Sequence, residues 1–293
     1  MCTIGALAYE DETGRLRVFG FKNADNPPVG YWHGTAGGGD GGFRSLAFGL
    51  LAQTGINAGL NERGLLVVSS YFGCEDPSES EGPAEPGGGF RSGDIRGRVQ
   101  AEALARCETA ADALVLLQER FEEAEERSIG GSHILADKDG GLYAFEHHRG
   151  HTAWQDASLA GWATRSNQAF GLFAAAQARQ RDEIVRDRTI RLRTAELRLD
   201  ALARRRPPGE EAIAELRSLL ASHAPDGGGA VGSICAHGAV HGRSNAPLPH
   251  DTVSSMIWDV TEGKMHYTLG QPCRSEWRTA TLSGKGIYDA VFL

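Results

Sequence analysis

The residue with the most chemical promise is Cys2, which follows the initiator methionine in Met1-Cys2-Thr3-Ile4-Gly5. A second residue this small makes Met1 a candidate for ordinary removal. Removal would leave a thiol and a free α-amine on one residue. An unperturbed thiol has a pKa of about 8.5, and an α-amine of about 7.7–8.0. Little of such a thiol is thiolate at neutral pH, so a nucleophilic role demands a base. The residue's own amine, held neutral, is one.

Thiol attack on an amide also needs groups that orient the amine and thiol, and donors for the oxyanion. Phe19-Gly20-Phe21-Lys22-Asn23-Ala24-Asp25 ends a strand predicted to pair with the Cys2 strand, which brings Lys22 and Asp25 within reach of the N-terminus. Asp25 could hydrogen-bond the amine, and Lys22 could favour the thiolate electrostatically. The same residues also read as an ordinary charged turn. In Ala163-Thr164-Arg165-Ser166-Asn167-Gln168, Asn167 reads equally as an oxyanion donor or as part of a helix N-cap. Residues 55–65 read as loop, turn and strand entry.

The elements that must hold these groups follow from periodicity and turn chemistry. Strands over 2–9 and 15–22 flank the turn Asp11-Glu12-Thr13-Gly14, and a third apolar strand covers 64–72. Residues 26–44, with Pro27-Pro28 and Gly37-Gly38-Gly39, read as irregular, and 75–94 as an acidic surface loop. Ile95, Val99, Ala103, Cys107, Ala111, Leu114 and Leu117 share one face of a helical stretch over 95–125. A hairpin follows over 132–136 and 142–147. Helix is expected over 169–205, broken by Pro207-Pro208-Gly209 and resumed over 210–222. A last hairpin pairs 252–258 with 264–269. Strands, helices and strands joined by hairpins predict an α+β fold with antiparallel sheets, read as one domain over 1–293.

Composition narrows the function classes. The chain has 293 residues, 41% hydrophobic, enough for an ample core. A net charge of -8 argues against a nucleic-acid surface, and the arginines of 169–205 alternate with Asp182, Glu183, Asp187, Glu196 and Asp200 as on a solvated helix face. No apolar run of membrane-spanning length exists, and the N-terminus lacks signal-peptide character. Five scattered cysteines, Cys2, Cys74, Cys107, Cys235 and Cys273, fit reduced thiols, so a cytoplasmic location is expected.

Taken together, Met1-Cys2-Thr3, the segment Gly20-Phe21-Lys22-Asn23-Ala24-Asp25 and Gly59-Leu60-Asn61-Glu62-Arg63-Gly64-Leu65 resemble the N-terminal-nucleophile (Ntn) hydrolases with cysteine. That superfamily includes bile-salt hydrolases, penicillin V acylase and the acyl-CoA:6-aminopenicillanic acid acyltransferase family. Gly232-Ser233-Ile234-Cys235-Ala236-His237, Thr252-Val253-Ser254-Ser255-Met256-Ile257-Trp258-Asp259 and Gly270-Gln271-Pro272-Cys273 resemble the C-terminal part of the acyltransferase branch.

The resemblance implies a four-layer αββα sandwich with Cys2 as nucleophile at a strand end. It implies that Asp25 contacts the nucleophile and its amine, and that Lys22 stands where bile-salt hydrolases carry Arg. Lys is a point charge and Arg a bidentate fork, so the charge carries over and the geometry need not. Tyr71, through its N–H, and Asn167, through its amide, match the two oxyanion donors. Arg191 matches the site arginine, with Arg188 and Arg193 as rivals. The implied reaction is hydrolysis of a linear C–N amide through a Cys2 thioester. Transfer of the acyl group to an amine is the alternative, and an inactive member that only binds a metabolite or partner is the alternative of another class. Only methionine removal would be needed for maturation, because cleavage at Gly73-Cys74 would sever most of these motifs.

No cofactor or metal is implied. The runs at 146–151 and at Cys235-Ala236-His237 with His241 hold potential ligands but no recognised zinc spacing, and Cys235 and Cys273 read as buried core thiols. The glycine clusters at 37–42 and 87–89 lack the Lys-Ser/Thr of a phosphate loop and read as lids. Residues 26–54 and 73–94 read as loop insertions near the site, with Trp32, His33, Phe43 and Phe72 as candidates to line a pocket for a small-molecule amide. A homo-oligomer is left open.

Overall fold

Alternation along the first hairpin sets two faces. Strands β1 (Cys2–Glu10) and β2 (Leu16–Asn26) pair antiparallel, with Cys2 opposite Ala24 and Ile4 opposite Lys22. The turn closes as its residues require: Asp11 accepts from the N–H groups of Thr13 and Arg15, and Gly14 takes a positive φ. The computed structural model describes residues 2–39, 41–72, 94–124, 130–172, 182–224, 231–241 and 248–292.

This hairpin is the heart of a seven-stranded sheet. On one side of it lies β10 (Trp162–Arg165), and on the other β12 (Leu248–Asp259), β13 (Lys264–Thr268) and β14 (Trp277–Thr281). A short β11 (Ala239–His241) pairs with β12. A second sheet has eight strands in the order β15 (Ile287–Val291), β3 (Tyr31–Gly37), β4 (Arg44–Leu50), β5 (Ala58–Asn61), β6 (Leu65–Tyr71), β7 (Gly131–Asp137), β8 (Leu142–His148) and β9 (His151–Asp156).

Both sheets are buried on both faces, which is why their central strands read as unbroken apolar runs. Ile4, Ala24, Leu66, Val68 and Trp258 fill the layer between the sheets. Leu65 and Val67, one residue out of phase, pack on helices α1 (Arg96–Arg106) and α2 (Ala110–Glu123). Leu7, Phe19 and Phe21 pack on helices α3 (Asp182–Arg205) and α4 (Gly209–Leu220). The order helix, sheet, sheet, helix is the αββα sandwich. Among the described residues no helix is long and apolar enough to cross a membrane.

The Gly-Leu-Asn-Glu-Arg-Gly-Leu run is the β5–β6 turn. Asn61 accepts from the N–H groups of Arg63 and Leu65, and its own amide donates to the Leu104 and Cys107 carbonyls. One side chain thus closes a turn and satisfies carbonyls at the end of α1 that have no partner within the helix.

Several expectations need correction. Residues 26–54 are not a loop insertion, since β3 and β4 occupy about half of them. Their glycines serve close approach: a Cβ on Gly34 would lie 2.5 Å from the Gly286 carbonyl oxygen, and one on Gly49 would lie 2.3 Å from the Trp32 ring. The helical stretch from 95 divides at Cys107, and Thr109 caps the second helix by accepting from Asp112 N. Residues 169–172 are not helical, and helix is described from Asp182. Strands β9, β10, β14 and β15 are short or polar and gave no sequence signal. The insertion at 73–94, save Asp94, lies outside the described residues, as do Met1, the Gly73-Cys74 pair and the 87–89 cluster.

Candidate active site

The site assembles around the first residue of β1. Because Cys2, Ile4, Lys22 and Ala24 share the inner face, the Cys2 thiol and the Lys22 ammonium lie near each other between the sheets, close enough to interact electrostatically. Lys22 is buried and also donates to the Ser69 carbonyl of β6 in the opposite sheet. Burial pushes its ammonium below the ordinary lysine range; the Cys2 thiol and, more weakly, Asp25 oppose that shift.

Thr3, Asn23 and Asp25 point outward. Asp25 is buried and accepts a 2.6 Å bond from Thr252 Oγ1. Burial raises its carboxyl pKa, against the pull of Arg191. Arg191, 1% exposed on α3, donates to the Cys2 carbonyl and to Thr3 Oγ1, both at 3.1 Å, and to Asn167 Oδ1 at 3.3 Å. Two further bonds, at 3.0 and 2.9 Å, fix it to Asp187 one helical turn earlier. Asp187 in turn accepts from Gly232 N at 2.7 Å.

Asn167 closes the ring of contacts. Its Oδ1 accepts from the Cys2 nitrogen at 2.7 Å, and its Nδ2 donates to the Tyr71 carbonyl at 2.5 Å. The residue sits at φ 68°, in the left-handed region that asparagine tolerates better than most side chains. The chain beyond it is held by Glu146, whose carboxylate accepts from the N–H groups of Phe170 and Gly171.

Solved structures share this architecture. Penicillin V acylase from Agrobacterium tumefaciens superposes with a TM-score of 0.56 at 14% identity, over 95% of this chain and 86% of that one. Two variants of conjugated bile acid hydrolase from Clostridium perfringens give TM-scores of 0.55 and 0.51, each at 13% identity. They cover 97% and 99% of this chain and 95% and 97% of those. The chain has the Ntn-hydrolase fold. No protein-family model and no curated protein matches it.

Within that fold, Cys2, Lys22, Asp25, Tyr71, Asn167 and Arg191 converge. Of the three rival arginines, Arg191 reaches Cys2; Arg193 is exposed, and the Arg188 carbonyl accepts from Ser166 Oγ. The helix-cap reading of Asn167 fails, because no helix follows it directly. The Cys2 nitrogen is held by Asn167 Oδ1. One Nδ2 hydrogen is taken by Tyr71 O, and an amide carries a second.

The pocket candidates fare differently. Phe72 follows Tyr71 and is buried against His148. His33 is fully buried, stacked on Tyr267 and bonded to Ser254 Oγ. Its strand lies three strand spacings, roughly 14 Å, from β6. Trp32 packs with the α1–α2 layer, and Phe43 lies under Arg63 beside Ala105. None of these three joins the site, because β3 and β4 belong to the far side of the sheet. Residues 146–151 form the β8–β9 hairpin and do not gather as metal ligands; His147 stacks on Phe121.

Sequence reasoning assigned no role to Thr252 or Asp187. Asp187 had a signal, its four-residue spacing from Arg191 on a helix. Thr252 had none beyond a motif. Its hydroxyl donates to Asp25 and accepts from Ala236 N at 2.8 Å. Thr252→Val keeps the shape and strands both partners, so chemical denaturation should register a loss of about 3 kcal/mol. Thr252→Ser should recover most of it. An unchanged midpoint for Val would show that neither bond matters to stability.

Proposed function

We propose that this protein is an amidohydrolase that cleaves a linear C–N amide bond of a small molecule through a thioester on Cys2. The carrying observation is that the nitrogen of Cys2 is held by Asn167 Oδ1 while the buried ammonium of Lys22 acts electrostatically on its sulfur.

Once Met1 is removed, the nitrogen held by Asn167 is the α-amine. It takes the thiol proton, and Lys22 keeps the resulting thiolate in place. The sulfur attacks the amide carbon, and the C=O electrons move onto oxygen. The Tyr71 N–H and the second Asn167 hydrogen are the proposed donors to that oxyanion, each worth roughly 3 kcal/mol of barrier. The ammonium then protonates the leaving nitrogen, the C–N bond breaks, and an amine departs. Water adds to the thioester with its proton passing to the α-amine. The C–S bond breaks, and the sulfur regains its proton as the acid leaves. Asp25 and Arg191 hold the Cys2 backbone and its amine in register throughout, and no metal or cofactor enters any step.

Intact-mass measurement tests this reading. The active protein should lack Met1, and brief exposure to penicillin V or a conjugated bile acid, followed by acid quench, should add an acyl mass to the N-terminal peptide. Penicillin V and conjugated bile acids are chosen because proteins sharing the fold carry those names. A wider panel of acyl-amides follows if both fail. Full activity from homogeneous Met1-retaining protein would remove the amine-as-base mechanism, and an adduct on another residue would remove Cys2.

A further inference from the structure

The fold gathers four soft or borderline metal ligands that the sequence keeps apart. His223 follows the end of α4, Cys235 and His237 lie just before β11, and Cys273 lies in the turn between β13 and β14. One ligand atom from each lies within 4.8 Å of all the others. His237 Nε2 is 3.5 Å from Cys235 Sγ and 3.2 Å from Cys273 Sγ. A tetrahedral zinc with bonds of about 2.0–2.3 Å places its ligand atoms roughly 3.3–3.8 Å apart. Little contraction would seat an ion. Contrary to the sequence reading, Cys273 is not a core thiol but reaches the surface.

The segments carrying the ligands are already fixed. Cys235 N donates to the Ser222 carbonyl at 3.0 Å, beside His223. Ala236 exchanges two bonds with Thr252. Asp251 Oδ1 accepts from Gly238 N and from Gln271 Nε2, both at 2.9 Å, which ties the Cys273 turn to the Cys235–His237 segment. These bonds hold the donors together before any ion arrives.

We propose that His223, Cys235, His237 and Cys273 form a structural zinc site. Two thiolates and two imidazoles in a tetrahedron suit zinc. Four protein ligands leave no open position for substrate or water, so the ion is structural and the inference does not rest on the amidohydrolase reading. Binding releases one proton from each thiol as two Zn–S bonds form. The ion would clamp the end of α4 and the β13–β14 turn onto the segment whose Ala236 N–H holds Thr252 beneath Asp25.

Full-length protein from zinc-supplemented culture should contain one zinc per chain by elemental analysis. Cobalt exchanged into it should show thiolate-to-cobalt charge-transfer absorption. Cys273→Ser and, separately, His223→Ala should weaken zinc by more than the roughly 10–100-fold lost when only a group supporting a ligand is changed. Both residues are at the surface, and circular dichroism checks each fold. The cobalt charge-transfer band should diminish in Cys273→Ser. Zinc at under about a tenth of an equivalent after supplementation would overturn the proposal. So would zinc affinity unchanged by both variants, or a Cys235–Cys273 disulfide in protein purified without oxidant.

Discussion

Cys2→Ala should abolish turnover, and Cys2→Ser should lower it by at least roughly 10⁴-fold, in steady-state assays of protein shown to fold as the parent does and, by intact mass, to be processed as it is. The alanine variant has no nucleophile, and loss of one in comparable enzymes costs on the order of 10⁶. Serine keeps size and position, but a hydroxyl is far less acidic than a thiol. An α-amine with a pKa near 8 is then too weak a base, and the ammonium of Lys22 has too little developed charge to stabilise. Cys2 is only partly buried, so neither variant leaves a large cavity, and denaturation midpoints should move little. Near-normal rates in Cys2→Ala would end the catalytic reading and favour a binding protein of the same fold.

Asn167→Ala should lower kcat by roughly 10²–10³-fold with a much smaller change in KM. Two losses coincide in it. The side chain no longer holds the Cys2 nitrogen or donates from Nδ2, and alanine at φ 68° costs about 1–2 kcal/mol of backbone strain. Asn167→Gly separates them, because glycine accepts the backbone but lacks the amide. Turnover should stay low in Gly while stability returns. Asn167→Asp keeps an acceptor for the amine but sets a carboxylate oxygen against the Tyr71 carbonyl and beside the developing oxyanion, so it should be at least as damaging as Ala. If Gly restored the rate, the residue would matter only for its backbone, and the oxyanion donors would have to be sought elsewhere.

The parts of this molecule legible in its sequence are those where one residue type does one job locally. The Asp11–Gly14 turn, the hairpin that brings Lys22 and Asp25 to the Cys2 strand, and the buried positions Ile95, Val99, Ala103, Leu114 and Leu117 all follow from short-range rules, although the helix they were read on divides at Cys107 and Ala111, read on the same face, is exposed. Strands β3 and β4 did not, because their glycines serve neighbours distant in sequence and imitate loop punctuation. That error carried Trp32, His33 and Phe43 into a pocket from which the sheet order removes them. The Asn167 amide was expected at the site; that it holds the Cys2 nitrogen and reaches Tyr71 depends on contacts spanning 165 and 96 residues. Cys235, His237 and Cys273 of the proposed zinc site were individually visible, but the sequence reading set His241 beside them and did not single out His223. Their meeting depends on three segments that no spacing rule connects.

The bond from Lys22 to Ser69 crosses from one sheet to the other, and the bond from Asn167, two residues beyond β10, to Tyr71 does the same from the end of a strand. Apolar contact between layers is non-directional; it sets their separation but tolerates sliding. Hydrogen bonds fail steeply with misalignment. The two sheets are therefore keyed together, like halves of a vernier, at the place where the proposed mechanism sets the Cys2 sulfur on one sheet and the Tyr71 N–H, a donor to the oxyanion, on the other. Warming, pressure or mild denaturant that lets the halves slip by a fraction of a residue would silence the protein while its core remained closed, so loss of activity should precede loss of secondary structure.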